Sequence, residues 1–496
     1  MLLKKKLAVA LAVVMTAAVS LAGCGGGGET QQPAAEGGTA AAGKTKIVFG
    51  GWEDQIMARY LAERYMAEHP DVEIEVFNNG QWLGNENMAK LVAANQMPDI
   101  INLENPVYPI QNDWVIDLKP YLDKEGDVDL PENFIKYGTF NDKVVMVPNA
   151  VYLFGVMVNK TLLQANNIPI PDYGWTIDEF VDIAKKTTKP GQTIGTTEIE
   201  PIMKHLPPQM NDDLGWGAFN EVTRKYQLTP EWLEAANISY DLYKSNATLY
   251  ERLDANGNPW DYEEGSQERT TIEEARANFL LETLGETDAG TAWRKGKGAL
   301  WFDFTWGMNF HTNPEYSGFD WDYYPFPVKD KGDVSRPGIV VDSVAITTKC
   351  ANPDAAWDFL KYMTFDKAGV EARFDIVTNY TKEDAQSRFP GLEETSYFDT
   401  LSFSFMPATT DQALIDKWVE FNNAKPGVKY MMSNMDTGFV DGFKVTPGFD
   451  EAYHKTIYTV YKEQVLTGQK SASDIIDEVA KLADDITAKA YAALGQ

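Results

Sequence analysis

The chain has 496 residues, with 44 Lys+Arg against 73 Asp+Glu and a net charge of −29. At about 150 residues per domain that length allows two or three domains, and 44% hydrophobic with 24% charged residues excludes a disordered polyelectrolyte. So negative a charge argues against non-specific binding to DNA, RNA or anionic lipid surfaces. Two Cys cannot build a disulfide framework. His69, His205, His311 and His454 are far apart, without an HxxxH pair or a CxxC, which argues against zinc. There is no GxxxxGK[ST] phosphate loop and no GxSxG elbow.

Lys4, Lys5 and Lys6 precede Leu7 to Ala22, a mostly apolar run of signal-peptide length, too short to span a membrane. It ends in Leu21-Ala22-Gly23-Cys24, which resembles the lipobox of bacterial lipoproteins. That resemblance implies removal of residues 1–23, a net charge of −32, and lipid on Cys24. Cys350 would then be the one thiol, packed as a small hydrophobe at a strand end. Residues 25–43 read GGGGETQQPAAEGGTAAAG, a flexible linker with an r.m.s. span of about 25 Å. The expected arrangement is a soluble body tethered beside a membrane, where its local concentration is high.

The body opens with a buried strand at Lys46–Gly50 and a turn. A helix follows over Gln55–His69, with Met57, Leu61 and Tyr65 on one face and Pro70 to stop it. Val72–Phe77 alternates as a strand, Asn87–Asn95 reads as a helix and Asp99–Leu103 as a strand. This order predicts a parallel sheet with helices on both faces and ligands beyond its carboxyl ends. The loops at Trp52–Gln55 and Asn102–Pro106 then share one rim. Thr176 and Glu179 form a capping box for a helix whose apolar face is Phe180, Ile183 and Ala184. Residues 195–290 are polar and mostly helical with loop insertions. Val344–Thr348 is a strand, Asp354–Met363 a helix, and Phe449–Leu466 and Ser471–Tyr491 are two closing helices.

A chain of short motifs runs through this body. They are Met97-Pro98-Asp99-Ile100-Ile101, then Trp114 to Leu122, Met146-Val147-Pro148 with Val158-Asn159-Lys160, Pro169 to Phe180, Lys295 to Leu300, and Asn352 to Leu360. In this order they resemble the sugar-binding proteins of bacterial ABC transporters, the maltose-binding-like solute-binding family 1. Trp114 stands where the family has Gly, and Val158 where it has Tyr. The resemblance implies an α/β, two-lobed periplasmic-binding-protein-like type II fold with the ligand cleft between lobes. By family pattern the N-lobe would be residues 44–150 plus 343–400 and the C-lobe 151–342 plus 401–496. Such proteins close by hinge motion around the ligand.

A sugar needs aromatic plates for its C–H faces and polar groups for its hydroxyls, carboxylates being the strongest acceptors. Trp52, Glu53 and Asp54 after the first strand, and Trp82 in a polar loop, place Trp where a core would not. Glu104 and Asn105 follow the Asp99–Leu103 strand at the rim; the alternative for Asn105 is a plain turn. The resemblance adds Tyr152 past the first crossing, Trp306 as a stacking plate with Asp303 on the same run, and Phe449 and Tyr453 in the penultimate helix, where core packing is the alternative. Asp342 interrupts an apolar run, a costly place for a carboxylate unless it is paired or used. His311, near Trp306, reads as structural.

Asp254, Asn256 and Asn258 space oxygen ligands as a calcium loop does, but Pro259 takes the sixth position and no Glu the twelfth, so an Asn-Gly turn is the plainer reading. No cofactor is therefore expected. The functional expectation is a non-enzymatic, monomeric, lipid-anchored protein on the extracellular face of the cell membrane, handing an oligosaccharide to an ABC permease without binding nucleic acid. The competing classes are the same fold binding another solute, such as a peptide, polyamine or oligo-uronate, and a secreted glycoside hydrolase with two carboxylates about 5–9.5 Å apart.

Overall fold

In the computed structural model, residues 44–496 form one compact unit. The structure describes residues 43–51, 55–77, 85–103, 105–126, 128–308, 318–390 and 401–495. Its centre is a ten-stranded sheet. In chain order the strands are β1 (Thr45–Gly50), β2 (Val72–Phe77), β3 (Ile100–Leu103), β4 (Val147–Asn159), β5 (Ile194–Thr196), β6 (Gly298–Phe304), β7 (Trp321–Tyr324), β8 (Gly338–Ile346), β9 (Met406–Pro407) and β10 (Phe439–Val440). The spatial order is β2-β1-β3-β8-β4-β6-β5, with β7 and β9 also on β4 and β10 on β8.

The helices used below are α1 (Gln55–Glu68), α2 (Asn85–Ala93), α3 (Ile177–Thr187), α4 (Glu200–His205), α5 (Leu233–Lys244), α6 (Tyr250–Asp254), α7 (Gln267–Leu284), α8 (Pro353–Thr364), α9 (Gly442–Val445) and α10 (Ala472–Ala493). Local chemistry sets several of them. Val72, Ile74 and Val76 of β2 are buried and Glu73 and Glu75 exposed, as a two-residue period demands. In α1, Met57, Leu61 and Tyr65 are buried. Thr176 and Glu179 make the expected capping box at α3, and Ser471 with Asp474 makes another at α10. The segments Asp450–Tyr458 and Tyr461–Leu466, expected as an ordinary helix, wind instead with wide π-type turns. The region 195–290 is helical as expected, and it also contributes β5 and a small ladder of Phe219–Asn220 with Lys225–Tyr226.

Strand direction defines the architecture. β1, β2 and β3 run parallel. β8 is antiparallel to β3 and to β4, so the opening sheet is mixed rather than purely parallel. β6 is antiparallel to β4 and parallel to β5. The carboxyl ends of β1–β3 therefore point toward the carboxyl ends of β5 and β6, with β4 and β8 running between them. One apolar cluster gathers Ile47, Phe49 and Leu61 with Trp357, Phe359 and Met363 of α8. Another draws only on the stretch from Phe154 to Ala483 and includes Trp175, Phe180, Trp232, Phe302 and Ile475.

Packing is close where Gly427 meets β7. A Cβ there would lie 1.5 Å from the Tyr323 carbonyl oxygen. Gly427→Ala is expected to cost about 1–3 kcal/mol, read as a lower urea midpoint with an unchanged slope. An unchanged midpoint would mean that the backbone moves aside freely.

Candidate functional site

The register of β8 locates a cleft. Leu103, the carboxyl end of β3, pairs with Ser343. Phe304, the carboxyl end of β6, pairs with Phe154, which pairs in turn with Gly338. From Gly338 to Ser343 is roughly 16 Å at a strand's rise per residue. Over that gap the two opposed rims face each other, and the floor is Ala150–Leu153 of β4 and Ile339–Asp342 of β8. Ligands of open α/β sheets bind beyond such carboxyl ends.

Tyr152 lies opposite Val340, and Ala150 opposite Asp342, so Tyr152 and Asp342 share one face of this floor. Trp306 follows β6 in a 3₁₀ turn and is 48% exposed. Its ring stacks on Phe304 at 3.9 Å and meets Tyr152 edge-on at 5.4 Å. Phe405 stands 6.3 Å from Tyr152, also edge-on. Phe304 is in turn backed by Phe154 at 4.2 Å. Asp303 is on the same run but on the opposite face of β6. It pairs with Gly155 and accepts the Phe304 N–H at 2.8 Å.

Asp342 is paired: its carboxylate meets the Lys444 ammonium at 2.9 Å, both side chains nearly buried. Lys444 sits on α9, which Asp441 caps by accepting the Phe443 N–H at 2.9 Å. Burial pushes the Asp441 carboxyl up, against the pull of Lys204, the Phe443 N–H, Lys444 and His454. Asn105 makes its expected turn, accepting the Val107 N–H at 3.0 Å, and also reaches α9, donating to the Phe443 carbonyl at 2.6 Å. The loop after β3 and the segment after β10 thus touch across the floor.

Phe449 and Tyr453 are buried, 1% and 0% exposed, with rings stacked at 5.3 Å. His454 lies 5.4 Å from Phe449 and 6.4 Å from the half-buried Phe443 of α9. Trp52, Glu53, Asp54, Trp82, Glu104, His311 and Cys24 lie outside the described residues. Asp254 pairs with Arg276 at 2.8 Å, Asn256 bonds the Arg252 and Leu253 carbonyls, and Asn258 caps the turn at Trp260. Their polar atoms are engaged locally, and among the described residues no three acidic, His or Cys side chains converge as a metal site would need.

Residues the sequence did not single out complete the wall beyond β5. Thr197 accepts the Phe302 N–H through its hydroxyl at 3.3 Å and the Tyr250 N–H through its carbonyl at 2.8 Å. This draws α6 against the end of β5 and sets Glu198 beside Glu251. Burial, then the Glu251 charge, pushes the Glu198 carboxyl up to about 8; burial pushes Glu251 up to about 7, against the Ile199 N–H it accepts at 2.8 Å. Tyr250 stands edge-on to Trp301 at 6.3 Å.

Residues 51–370 match the family described as bacterial extracellular solute-binding protein. The chain belongs to that family. This solute-binding protein also shares its two-lobed fold with solved structures. An ABC substrate-binding protein from Listeria monocytogenes in complex with cycloalternan is 14% identical, with 90% of this chain and 98% of that one covered and a TM-score of 0.60. The sugar-binding protein MalE from Xanthomonas citri is 12% identical over 90% and 98% at 0.61. The cyclic α-maltosyl-1,6-maltose binding protein from Arthrobacter globiformis is 17% identical over 90% and 100% at 0.58. No curated protein matches in sequence. Family and neighbours are binding proteins rather than enzymes. Among the described residues of this solute-binding protein, no helix is long and apolar enough to cross a membrane.

Proposed function

We propose that this protein is the lipid-anchored, extracellular binding component of an ABC importer, taking an oligosaccharide into the cleft between an N-lobe (44–150 plus 343–400) and a C-lobe (151–342 plus 401–496). The observation that carries the reading is the half-exposed Trp306 plate, backed by Phe304 and flanked by Tyr152, above a floor carrying the Asp342–Lys444 pair. Aromatic faces take the apolar side of a sugar ring, and the polar pair takes hydroxyls. The neighbours whose descriptions name cycloalternan and maltosyl-maltose support the same class of solute. Cys24 and the linker after it supply the anchor, and a membrane permease receives the solute.

No catalysis or cofactor is required. Asp342 is held by Lys444. The test is the thermal midpoint against a panel of oligosaccharides, with peptides and polyamines as controls. A ligand at 100 times its Kd is expected to add about 2.7 kcal/mol, roughly 1–4 °C for a body of this size. A shift with a glycan series and no cleavage of it supports the reading. A shift with a control alone replaces the solute class.

A further inference from the structure

Trp306 has a counterpart elsewhere on the surface. Trp175, Trp232, Trp293, Trp321 and Trp418 are 2% exposed or less, and among the described tryptophans only Trp306, at 48%, and Trp260, at 76%, are exposed. Trp260 lies in the turn between α6 and α7, directly after the stretch that spaces oxygen groups as a calcium loop does. Those groups serve the turn instead. Arg276 of α7 donates to the Asp254 carboxylate at 2.8 Å and to the Gly257 carbonyl at 2.9 Å. Asn258 accepts the Trp260 N–H at 3.2 Å and donates to the Asp261 carboxylate at 3.2 Å, closing a 3₁₀ turn over Pro259–Asp261 in which Pro259 is buried. The backbone on both sides of Trp260 is tied down while its ring stays uncovered.

The ring is also oriented. The Arg269 guanidinium lies over it, 4.6 Å from its centroid. Arg269 is itself held, donating to Glu273 at 2.8 Å with a side chain only 15% exposed. One face of the indole therefore has a fixed backing, as Phe304 backs Trp306, and the opposite face is open to solvent.

The surroundings choose the occupant. Tyr262, 43% exposed, is the one other large apolar side chain exposed among the described residues from 223 to 280. Two rings fall far short of the roughly 800 Å² a side that a stable protein interface takes. Asp261, Glu263, Glu264 and Glu268 follow in sequence and are exposed, which repels nucleic acid, anionic lipid and uronate chains. A neutral sugar needs what is present: a flat aromatic face for its C–H side and carboxylates for its hydroxyls. We propose that this turn is a second carbohydrate site, separate from the cleft, which stacks one ring of a neutral glycan on the open face of Trp260. It takes its class of solute from the oligosaccharide reading and adds a contact that reading does not contain.

The full chain is prepared with 5-fluorotryptophan, and the fluorine resonances of Trp260 and Trp306 are assigned by their loss in Trp260→Phe and Trp306→Phe. Maltohexaose, cellohexaose, mannohexaose and laminarihexaose are titrated in turn to millimolar concentration, with spermidine as the non-sugar control. The Trp260 resonance is expected to move saturably with at least one hexaose, and to do so again in Trp306→Ala. Arg269→Gln, checked by its unliganded melting, removes the backing charge and is expected to raise the Kd read at Trp260 about two- to fivefold. A Trp260 resonance that stays still while a hexaose moves Trp306 overturns the second site and leaves the oligosaccharide reading of the cleft standing. A Trp260 response that disappears in Trp306→Ala is relayed from the cleft and overturns the second site as well. Movement by spermidine and by no hexaose overturns the glycan as occupant. A Trp260 response with Trp306 silent upholds the second site and overturns the Trp306 plate. Silence of both resonances with every hexaose overturns both.

Discussion

Trp306→Ala is expected to raise the Kd for the bound oligosaccharide by roughly 30- to 150-fold, about 2–3 kcal/mol, the range of a central aromatic anchor. The ring is 48% exposed, so little of its area is committed to the protein's own core. Its inner contact is the 3.9 Å stack on Phe304, and Phe304 stays in place against Phe154 when Trp306 is truncated. The unliganded melting point is therefore expected to move little. Trp306→Phe keeps an aromatic face on the same backing and is expected to recover most of the affinity. Calorimetric titration of the three proteins with the best glycan of the panel separates the effects. Trp306→Ala binding as tightly as the parent would remove Trp306 from the site and move the contact to another wall of the cleft.

Much of the frame was legible because its causes are local. The two-residue alternation of Val72–Phe77, the spacing of Met57, Leu61 and Tyr65, and the Thr176–Glu179 capping box each lie within a few residues, and each holds in three dimensions. A carboxylate in the apolar run at Asp342 had to be paired or used, and Lys444 pairs with it. Lys444 itself was illegible: it rides on the four-residue α9, too short for a period, 102 positions downstream of Asp342. The aromatic expectation at Phe449 and Tyr453 came from the family resemblance, with core packing as its alternative. The π-type winding from Asp450 gives no 3.6-residue face to read, and both rings turn inward. Asp303 and Trp306 looked like neighbours along one run, but strand alternation sends Asp303 to the far side of β6 from Phe304, on which Trp306 rests. The pairing of Glu198 with Glu251 depends on Thr197 receiving the N–H of Tyr250, a long-range contact with no signature in either segment.

Those same buried groups give the protein a stability curve with two titrating limbs. Glu198 and Glu251 bind their protons more tightly folded than unfolded, with carboxyls raised to about 8 and about 7 from the ordinary 4.5. The stability they contribute is complete below about pH 4.5 and is lost as pH rises from there to 7 and 8. His205 acts in the other direction. It is fully buried, packed 4.4 Å from Phe326, 4.4 Å from Trp216 and 4.5 Å from Phe154, and neither ring nitrogen has a hydrogen-bond partner. Burial, helped by the nearby Lys204 charge, holds it well below 6.5, so the unfolded chain takes up that proton first and stability is lost as pH falls below 6.5. Urea midpoints are expected to be highest near about pH 5 and to fall progressively as pH rises from there to about 8. Glu198→Gln, which cannot ionise, is expected to flatten the alkaline limb alone, and His205→Leu the acid limb alone. An alkaline limb unchanged in Glu198→Gln would show that Glu198 ionises freely in the folded chain. Its surroundings would then be wet.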